Sequence, residues 1–446
     1  MAGEWHTTTV TELQRDGILL VEDGNHGEYR PRPDEFVNTG VAFIRAADMD
    51  GGRVLFSAAA KINEPARQRI TKGIGAPGDV LLSHKGTVGK VALVPDDAPP
   101  FVCSPQTTFW RTCDERRLDR KYLYAFLRSA GFHTQLETRA GETDMAPYVS
   151  LTSQRGLYVT LPPLPEQRAI AHILGTLDDK IELSRRMNET MEAMARALFK
   201  SWFVDFDPAR AKAEGRNPGL PKPLADLFPA RFVDSGLGEI PEGWEVGTFG
   251  DVVEQLRDSE NPLESPDFEF RHFSIPAFDE GRWPKREIGG NIKSLKSRVP
   301  AGVILLSKLN PEIERVWLVD VQPGDRAICS TEFLVLAPRL AHGRSYVYCL
   351  ARSPQFRQEL EGLVTGTSKS HQRAQVGSIL GLSVVRPPEK LLNRFEVVAE
   401  PLLARTLARR SESRTLAALR DALLPKLISG ELRVKDAEAL LGRLVR

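Results

Sequence analysis

Cysteine is scarce in this sequence, and its positions suit neither disulfide frameworks nor metal sites. The four cysteines among 446 residues are Cys103, Cys113, Cys329 and Cys349. None forms a Cys-x-x-Cys pair, and no histidine completes a zinc spacing. No apolar run approaches the ~20 residues of a membrane span, and the N-terminus has neither the basic start nor the apolar stretch of a secretory signal. We therefore expect a reduced, cytoplasmic protein with small buried thiols.

An excess of charge of one sign is also lacking. The chain has 60 Lys and Arg against 59 Asp and Glu, a net charge of +1, so composition alone indicates no nucleic-acid partner. Two local runs are basic: residues 61–90 carry six Lys/Arg against two acids, and residues 282–315 carry eight against three. Each run is either a phosphate-facing patch or a solvated basic face.

Catalytic motifs are absent or incomplete. Residues 98–101 read Ala-Pro-Pro-Phe, where an amino-group DNA methylase needs Asn, Asp or Ser first to hold its target amino group. A phosphate loop ending at Lys90 would place its first glycine at His84 and its magnesium ligand at Val91, so a glycine-rich hairpin is the better interpretation. No S-adenosylmethionine loop and no nucleophile–base pair is evident. We predict a protein without a catalytic centre, metal or cofactor of its own.

The sequence repeats itself once. Val-Leu-Leu-Ser at 80–83 recurs as Ile-Leu-Leu-Ser at 304–307. Tyr-Leu-Tyr-Ala-Phe-Leu-Arg-Ser at 122–129 recurs at 346–353 as Tyr-Val-Tyr-Cys-Leu-Ala-Arg-Ser. Further matches at nearly the same offset join Cys103 to Cys329, Gly141 to Gly366, and Pro162-Pro163 to Pro387-Pro388. Five matches in one order predict a tandem duplication.

Both halves predict the same kind of domain. Each begins at a tryptophan, Trp5 or Trp244, and ends at a Pro-Pro pair. Strands are predicted at 79–83, 88–94 and 157–161 and again at 302–307, 316–319 and 382–385, with short helices at 119–129 and 345–353. Short strands mixed with short helices are typical of an α+β fold, so we expect two similar α+β globular domains.

A long helix with a heptad seam is predicted after each Pro-Pro pair. The first would be ~57 Å long at 1.5 Å per residue, longer than a small domain is wide, so packing on its own domain alone does not account for it. Its seam has a polar middle, as does the second, and polar seam residues commonly fix register. The second helix should bend or end near Pro425. Residues expected between the helices are Ile170, Leu177, Ile181, Met191, Leu198, Phe395, Leu402, Leu416 and Leu423.

These patterns divide the chain into a series of segments. The prolines spread between 205 and 243 favour a connection between the two halves. The predicted segments are a first domain at 1–165, a first long helix at 166–204, a linker at 205–240, a second domain at 241–388, a second long helix at 389–432 and a C-terminal tail at 433–446.

Four segments carry a resemblance to a known family. They are Leu-Pro-Pro-Leu-Pro-Glu-Gln-Arg at 161–168, Leu-Phe-Lys-Ser-Trp-Phe-Val-Asp-Phe-Asp-Pro at 198–208, Gly-Glu-Ile-Pro-Glu-Gly-Trp-Glu-Val at 238–246, and Leu-Arg-Asp-Ala-Leu-Leu-Pro-Lys-Leu-Ile-Ser-Gly-Glu-Leu at 419–432. Together they closely resemble the specificity subunits of type I restriction–modification systems. The second junction departs from the pattern, because Pro-Glu-Lys-Leu stands at 388–391 where the first half has Pro-Leu-Pro-Glu-Gln at 163–167.

The resemblance implies a function and a set of partners. It implies two target recognition domains, each reading half of a split double-stranded DNA site, and two antiparallel coiled-coil helices as a spacer. It further implies docking of two methyltransferase subunits, which would bind the S-adenosylmethionine, and of motor-endonuclease subunits in the full complex. It implies no membrane contact. It supplies no base-reading residues, because recognition domains of this family vary freely.

Three polar loops are the candidate DNA contacts, because lysine and arginine bind phosphates while Asn, Gln, Arg and Ser read base edges. The candidates are Lys85, Thr87, Lys90, Lys308, Asn310, Lys369, Ser370, His371, Gln372 and Arg373. The alternative for each loop is a solvated turn. Two other classes stay open: an enzyme with an unrecognised active site, and a coiled-coil scaffold or interaction protein that binds no DNA. DNA binding by the purified chain separates the scaffold from the DNA reader.

Overall fold

The computed structural model describes residues 5–140, 147–322, 324–340, 342–365 and 372–437. The chain divides into two compact units. Unit 1 comprises residues 1–183 and 413–446, and unit 2 comprises residues 184–412. Among the described residues, no helix is long and apolar enough to cross a membrane.

Unit 1 is an α+β domain with parts of two long helices. Its strands are β1 (His6–Thr9), β2 (Leu19–Asp23), β3 (Phe36–Val37), β4 (Val41–Ile44), β5 (Met49–Asp50), β6 (Arg53–Val54), β7 (Ala60–Ile62), β8 (Val80–Ser83), β9 (Val91–Leu93), β10 (Phe101–Cys103), β11 (Thr107–Thr112) and β12 (Tyr158–Leu161). Its helices are α1 (Val10–Arg15), α2 (Glu64–Arg69), α3 (Arg120–Leu127), α4 (Ala130–Ala140), α5 (Leu151–Arg155) and the first part of α6 (Leu164–Phe203).

Unit 2 is also an α+β domain with parts of the two long helices. Its helices are the rest of α6, α7 (Asp207–Ala213), α8 (Lys222–Ala225), α9 (Phe249–Val252), α10 (Ile275–Asp279), α11 (Arg344–Ala351), α12 (Pro354–Gly362), α13 (Val376–Leu380) and the first part of α14 (Glu389–Ser429). Its strands are β13 (Phe232–Ser235), β14 (Gly238–Pro241), β15 (Glu245–Thr248), β16 (Val253–Leu256), β17 (Ser259–Glu260), β18 (Glu269–Phe273), β19 (Lys285–Ile288), β20 (Lys296–Arg298), β21 (Ile304–Ser307), β22 (Val316–Leu318), β23 (Ala327–Cys329), β24 (Phe333–Pro338), β25 (Val364–Thr365), β26 (Arg373–Ala374) and β27 (Ser383–Arg386).

The sheet topology confirms the duplication. Unit 1 contains the strand order β2-β11-β8-β9, and unit 2 contains the corresponding order β16-β24-β21-β22. β1 pairs antiparallel with β12, as β15 does with β27. The parallel pair β4 and β10 likewise corresponds to the parallel pair β18 and β23. The two units are therefore α+β domains of one topology, as the sequence predicts.

The repeated Tyr-x-Tyr segment explains why each domain is closed in the same way. The Asp119 carboxylate accepts hydrogen bonds from the Lys121 and Tyr122 backbone N–H groups, each at 2.9 Å, and so caps the N-terminus of α3. The buried Tyr122 hydroxyl donates to the backbone oxygen of Thr160 at 2.7 Å, which ties α3 to the last strand. Tyr346 makes the same bond to Val385 at 2.6 Å in unit 2. Each domain thus closes immediately before its Pro-Pro pair.

The long helices α6 and α14 run antiparallel in each unit. In unit 1, Asp178 of α6 lies 2.7 Å from Arg420 of α14. Nearer the start of α6, a Glu166 carboxylate oxygen lies 3.4 Å from the guanidinium of Arg433, a residue that follows α14. Residues earlier in α6 therefore contact residues later in the α14 segment, which is the pattern of an antiparallel pair. In unit 2, Glu192 pairs with Arg410, and the rings of Phe203 and Phe395 lie 5.1 Å apart. The predicted antiparallel pair is confirmed, and α14 continues past Pro425 to Ser429.

The helix seams also form part of the domain cores. The Phe199 and Phe203 rings of α6 lie 5.5 and 5.2 Å from the ring of Tyr346 on α11. In unit 1, Ile170 and Leu177 of α6 share one hydrophobic cluster with the domain residue Tyr122. The apolar ends of the seams therefore bind helix to domain as well as helix to helix.

The segment 205–240, predicted as a connection, has secondary structure of its own. It contains α7, α8, β13 and most of β14, and Phe206 adopts a left-handed conformation (φ 56°) at the start of α7. The Phe228 side chain is 1% exposed and packs on Trp202 of α6, with ring centroids 5.5 Å apart. Because it shares the core of unit 2, this segment does more than connect the halves.

The thiols follow the expectation with one exception. Cys103, Cys329 and Cys349 are buried, and burial raises the pKa of each thiol to about 12. Cys113 is exposed, because it follows β11 at the surface, which corrects the expectation of buried thiols throughout.

Candidate nucleic-acid interface

In unit 1 the candidate loop 84–90 is the turn of the β8–β9 hairpin. The Ser83 hydroxyl accepts a hydrogen bond from the Lys90 backbone N–H at 2.8 Å, which closes the hairpin. Gly86 has φ 77°, a left-handed conformation that glycine adopts without strain. Its N–H donates to the Pro147 oxygen at 3.0 Å, so the hairpin pairs with the chain that leads into α5. We call residues 84–90 together with 147–149 hairpin surface 1.

Unit 2 builds the same feature from different residues. The β21–β22 hairpin turn comprises residues 308–315. The Ser307 N–H donates to the Arg315 backbone oxygen at 3.0 Å, as the Ser83 N–H donates to the Lys90 backbone oxygen at 2.9 Å in unit 1. The Asn310 N–H donates to the Gln372 oxygen at 2.8 Å, and the Ala374 N–H donates to the Lys308 oxygen at 3.0 Å. We call residues 308–315 together with 372–374 hairpin surface 2.

The structure therefore brings together two predicted loops that are far apart in sequence. Lys308 and Asn310 lie beside Gln372 and Arg373, with a β-bridge between Leu309 and Arg373. Lys369, Ser370 and His371 lie outside the described residues. In unit 1, the corresponding bridge joins Lys85 to Tyr148.

The candidate side chains differ in how available they are. Lys85 and Thr87 are exposed, and the Lys85 ammonium lies 5.7 Å from the centre of the Tyr148 ring. The Lys90 ammonium instead donates to the backbone oxygens of Ala46 and Met49 at 3.1 and 3.0 Å, so it is engaged within the domain. Its counterpart Arg315 likewise forms a two-fold ion pair with Asp279, with both contacts at 2.8 Å.

On hairpin surface 2 the guanidinium of Arg373 forms an ion pair with a carboxylate. The Arg373 guanidinium is half-exposed and pairs with Glu332 through contacts of 3.1 and 2.8 Å. Glu332 also positions the hairpin, because its backbone oxygen accepts from the Lys308 N–H at 3.0 Å. Among the described residues, no carboxylate lies within ion-pair distance of the Lys308 or Lys85 ammonium. These two lysines are therefore the hairpin cations best placed to bind phosphate.

Ion pairs engage one cation of the first basic run and several cations of the second. In residues 61–90, Arg69 pairs with Glu35. In residues 282–315, Lys285 pairs with Glu280, Arg286 with Glu269, Arg298 with Glu260 and Arg315 with Asp279. Counting charges in the sequence therefore overstates the free positive charge of both runs.

Sequence reasoning missed His84, which lies at the base of hairpin surface 1. Its side chain is 2% exposed, and its Nδ1 is 3.0 Å from the Val149 oxygen. Burial lowers the pKa of His84, although the Val149 bond and nearby Asp23 oppose the shift, so the imidazole is neutral near pH 7. Its position corresponds to Lys308 in the repeat, which is the signal that could have identified it. Glu332 corresponds in the same way to Gln106.

The residues expected between the helices lie in two groups. Ile170, Leu177, Leu416 and Leu423 belong to or border the core cluster of unit 1, and Leu198, Phe395 and Leu402 do the same in unit 2. Met191 is buried and Ile181 is half-buried. Between the apolar ends, Ser184 and Asn188 are 4% and 8% exposed, which is the polar middle that the heptads predict.

The fold defines a duplicated protein: each domain presents a hairpin surface and is packed onto a pair of antiparallel helices. A family model described as "Type I restriction modification DNA specificity domain" matches residues 25–193. This stretch of the chain is therefore similar to the DNA specificity domain of type I restriction–modification enzymes.

Two curated specificity subunits are similar to this chain over most of its length. The type I restriction enzyme MjaIX specificity subunit of Methanocaldococcus jannaschii is 25% identical over 84% of this chain and 82% of its own length. The type I restriction enzyme HindI specificity subunit of Haemophilus influenzae is 24% identical over 88% of this chain and 94% of its own. The crystal structure of a type I system S subunit from M. genitalium is 13% identical, covers 95% of this chain and 96% of its own, and gives a TM-score of 0.58. That likeness shows the shared fold.

Proposed function

We propose that this chain is the DNA-reading subunit of a type I restriction–modification complex, with one half of a bipartite target read by each recognition domain. The observation that carries the proposal is the repeated hairpin surface. The same hairpin, paired with the same returning chain, stands in both units but presents Lys85 and Thr87 in one and Lys308, Asn310 and Arg373 in the other. Because the side chains differ, the two half-sites should differ.

Lysines supply affinity in this proposal, and the neighbouring polar groups supply specificity. Lys85 and Lys308 bind phosphates, which positions the domain on the duplex without reading sequence. Asn310, Gln372 and Arg373 present donors and acceptors that suit base edges. The Oδ1 atom of Asn310 is buried and accepts no hydrogen bond from the described residues.

The helices set the spacing in the same proposal and carry the docking surface for two methyltransferase subunits. Methyl transfer takes place on those subunits, which bind the S-adenosylmethionine, and motor-endonuclease subunits join in the full complex. This chain itself neither methylates nor cuts DNA. Methyl transfer from labelled S-adenosylmethionine by the rigorously purified chain would contradict that part of the proposal.

The decisive experiment is co-expression with its cognate methyltransferase subunit, followed by mapping of the methylated genomic sites. We expect one bipartite motif with two different halves. Replacing residues 244–386 with the corresponding domain of a type I specificity subunit should change one half and leave the other intact, because modules that share no contacts contribute nearly independently. A swap that altered both halves at once would refute the modular mechanism. If the complex bound no DNA, a scaffold role would replace the proposal.

A further inference from the structure

The repeated segment at 122–129 and 346–353 contains each time an arginine that contacts the long helices, and the second of them, Arg352, also donates to Glu314 of hairpin surface 2. Arg128 and Arg352 stand directly after α3 and α11, and each guanidinium lies over the ring of the tyrosine one helical turn earlier. The guanidinium carbon is 4.8 Å from the centre of the Tyr124 ring in unit 1 and 5.1 Å from that of Tyr348 in unit 2. Stacking on a ring fixes the direction in which the planar guanidinium reaches.

In unit 1 this arginine reaches the long helices. Arg128 donates to one oxygen of the Asp178 carboxylate on α6 at 2.8 Å, and Arg420 of α14 donates to the other at 2.7 Å. We call Arg128, Asp178 and Arg420 clamp 1. A second pair acts beside it, because Arg53, in the domain, lies 3.1 Å from Glu182 of α6.

Unit 2 has the same arrangement around Glu192 of α6. Arg352 donates to one oxygen of the Glu192 carboxylate at 2.8 Å, and Arg410 of α14 donates to the other. We call Arg352, Glu192 and Arg410 clamp 2. A third arginine, Arg282 in the turn after α10, lies 3.8 Å from the same carboxylate.

Clamp 2 is buried and ionised. The side chains of Arg352 and Glu192 are 5% and 10% exposed. Burial opposes the charge of Glu192, but Arg410 and Arg352 outweigh it and hold the pKa of the carboxyl below its usual value. Moving either arginine away from the Glu192 carboxylate would leave a buried charge without full compensation, which is costly. The arrangement of the three side chains is therefore strongly restrained.

The two clamps share one design. In each, a single carboxylate of α6 joins an arginine from a recognition domain to an arginine from α14. Asp178 and Glu192 are separated by two full heptads of α6 and therefore occupy the same heptad position. Apolar contacts alone bury surface without fixing direction, whereas two charge-assisted hydrogen bonds to one carboxylate define an orientation.

We infer that Arg128 and Arg352 are positioning residues, which lock each recognition domain to the helix pair and so determine how strictly the protein measures the spacer between its half-sites. The inference rests on the proposed function. A domain held only by its apolar contacts retains its base-reading surface but tilts more freely on the helices. Loss of a clamp therefore relaxes discrimination of spacer length and leaves the base preferences of both halves unchanged.

The test uses the full chain assembled with its methyltransferase subunits. Duplexes carry the two mapped half-sites with the native spacer or with one base pair more or fewer, and the methylation rate is measured on each. We expect the Arg53→Gln/Arg128→Gln double variant and the Arg352→Gln variant to lower the preference for the native spacer at least about tenfold, given the strength of charged hydrogen bonds. Base preferences within each half-site should match those of the wild type. Because Arg352 also contacts Glu314 on hairpin surface 2, Glu314→Gln controls for that second contact and should leave the spacer preference unchanged.

Matched controls remove an arginine–carboxylate pair that lies within a domain. Arg111 pairs with Asp79 at 2.7 Å in unit 1, and Arg271 pairs with Asp325 in unit 2. Arg111→Gln and Arg271→Gln should lower the thermal midpoint without changing the spacer preference. An unchanged preference in the clamp variants, or an equal change in the controls, would overturn the inference.

Two further measurements keep the outcome interpretable. If Arg352→Gln fails to fold, the variants of clamp 1 alone test the inference. The Arg128 and Asp178 side chains are 18% and 26% exposed and should tolerate substitution better. Asp178→Asn then serves as the second variant and should relax spacing like the double variant. A wild-type complex without bipartite methylation would refute the proposed function itself, whereas a specific wild type with unaltered clamp variants refutes the inference alone.

Discussion

Asn310 occupies the place in unit 2 that Gly86 occupies in unit 1, at the same offset as the repeated strand segments, and it adopts the same left-handed backbone. Their φ angles are 48° and 77°. The N–H of each donates to the chain returning towards the last helix of its domain, at Gln372 and at Pro147 respectively. Asparagine is one of the few side chains that tolerate this conformation. The hairpin geometry is therefore maintained in both units while the side chains it presents have diverged.

The hairpin lysines Lys85 and Lys308 should govern the salt dependence of DNA binding. Lys85→Gln and Lys308→Gln should each reduce the slope of log affinity against log salt by about one unit, because each lost phosphate contact releases one counterion fewer. Binding of the assembled complex to the mapped duplex at several salt concentrations measures this slope. Lys222→Gln is the control, since Lys222 is exposed but already paired with Asp226 at 2.9 Å. Slopes equal to that of the control would remove both lysines from the interface.

Arg373 should read a base in one half-site. Arg373→Ala is expected to cost ~1–3 kcal/mol of binding and to relax one position, because a guanidinium matches the acceptors of a guanine edge. Glu332→Gln should have the reverse effect on affinity, since it removes the carboxylate that now holds the guanidinium. Methylation of single-base variants of the target measures both effects.

The outcome for Arg373 distinguishes three placements. Weakening that is even across sequences, with a smaller salt slope, would assign Arg373 to a phosphate. No change at all would identify the loop as a solvated turn. Arg386→Ala is the matched control, because Arg386 pairs with Glu245 on β15, in the sheet of the last strand.

The helix seam should be sensitive to charge at its buried positions. Leu177→Asp places a carboxylate where the side chain is 2% exposed, and we expect a loss of about 3 kcal/mol or more in the free energy of unfolding. Leu402→Asp should act in the same direction at its half-buried site. Leu183→Asp is the control on the same helix, because Leu183 is 58% exposed and should tolerate the change. Denaturant unfolding of the assembled protein measures all three, and equal losses at 177 and 183 would contradict the packing.

Glu396 on α14 should make stability fall as the pH rises. Burial and the neighbouring Glu400 raise the pKa of the Glu396 carboxyl above 4.5, although the Ser345 N–H opposes the shift. The folded state therefore binds more protons than the unfolded state above pH 4.5, and this stabilisation is lost as the pH passes the raised pKa. Glu396→Gln removes the ionisation and keeps an acceptor for Ser345. The variant should gain more stability over the wild type at pH 8 than at pH 5.

Glu192 provides a comparison of opposite sign. Its pKa is lowered, because Arg410 and Arg352 outweigh its burial, so its contribution is present above the unfolded pKa and is lost in acid. Glu192→Gln should therefore be destabilising at pH 8 and less so near pH 4. Thermal midpoints across this range test both variants, and parallel pH profiles would show that the two carboxylates do not differ as described.

Much of the architecture was predictable from the sequence, because it depends on local patterns. The heptads fix helical periodicity, and the observed α6 and α14 match the predicted long helices within a few residues. The repeat at 80–83 and 304–307 appears as the buried strands β8 and β21. The motifs at the domain–helix junctions that resemble those of type I specificity subunits were likewise recognisable, because each is a contiguous stretch of sequence.

Only the tertiary structure decided which distant groups meet. Local sequence patterns do not indicate which residues meet across a long loop. They could not predict the pairing of Asn310 with Gln372, the Glu332–Arg373 ion pair or the contacts of the Lys90 ammonium within its domain. For the same reason the basic runs looked freer than they are, because a count of charges does not include their partners. The clamps belong here too: the sequence shows Arg128 and Arg352 as a repeat, but folding alone brings Asp178 and Glu192 to them.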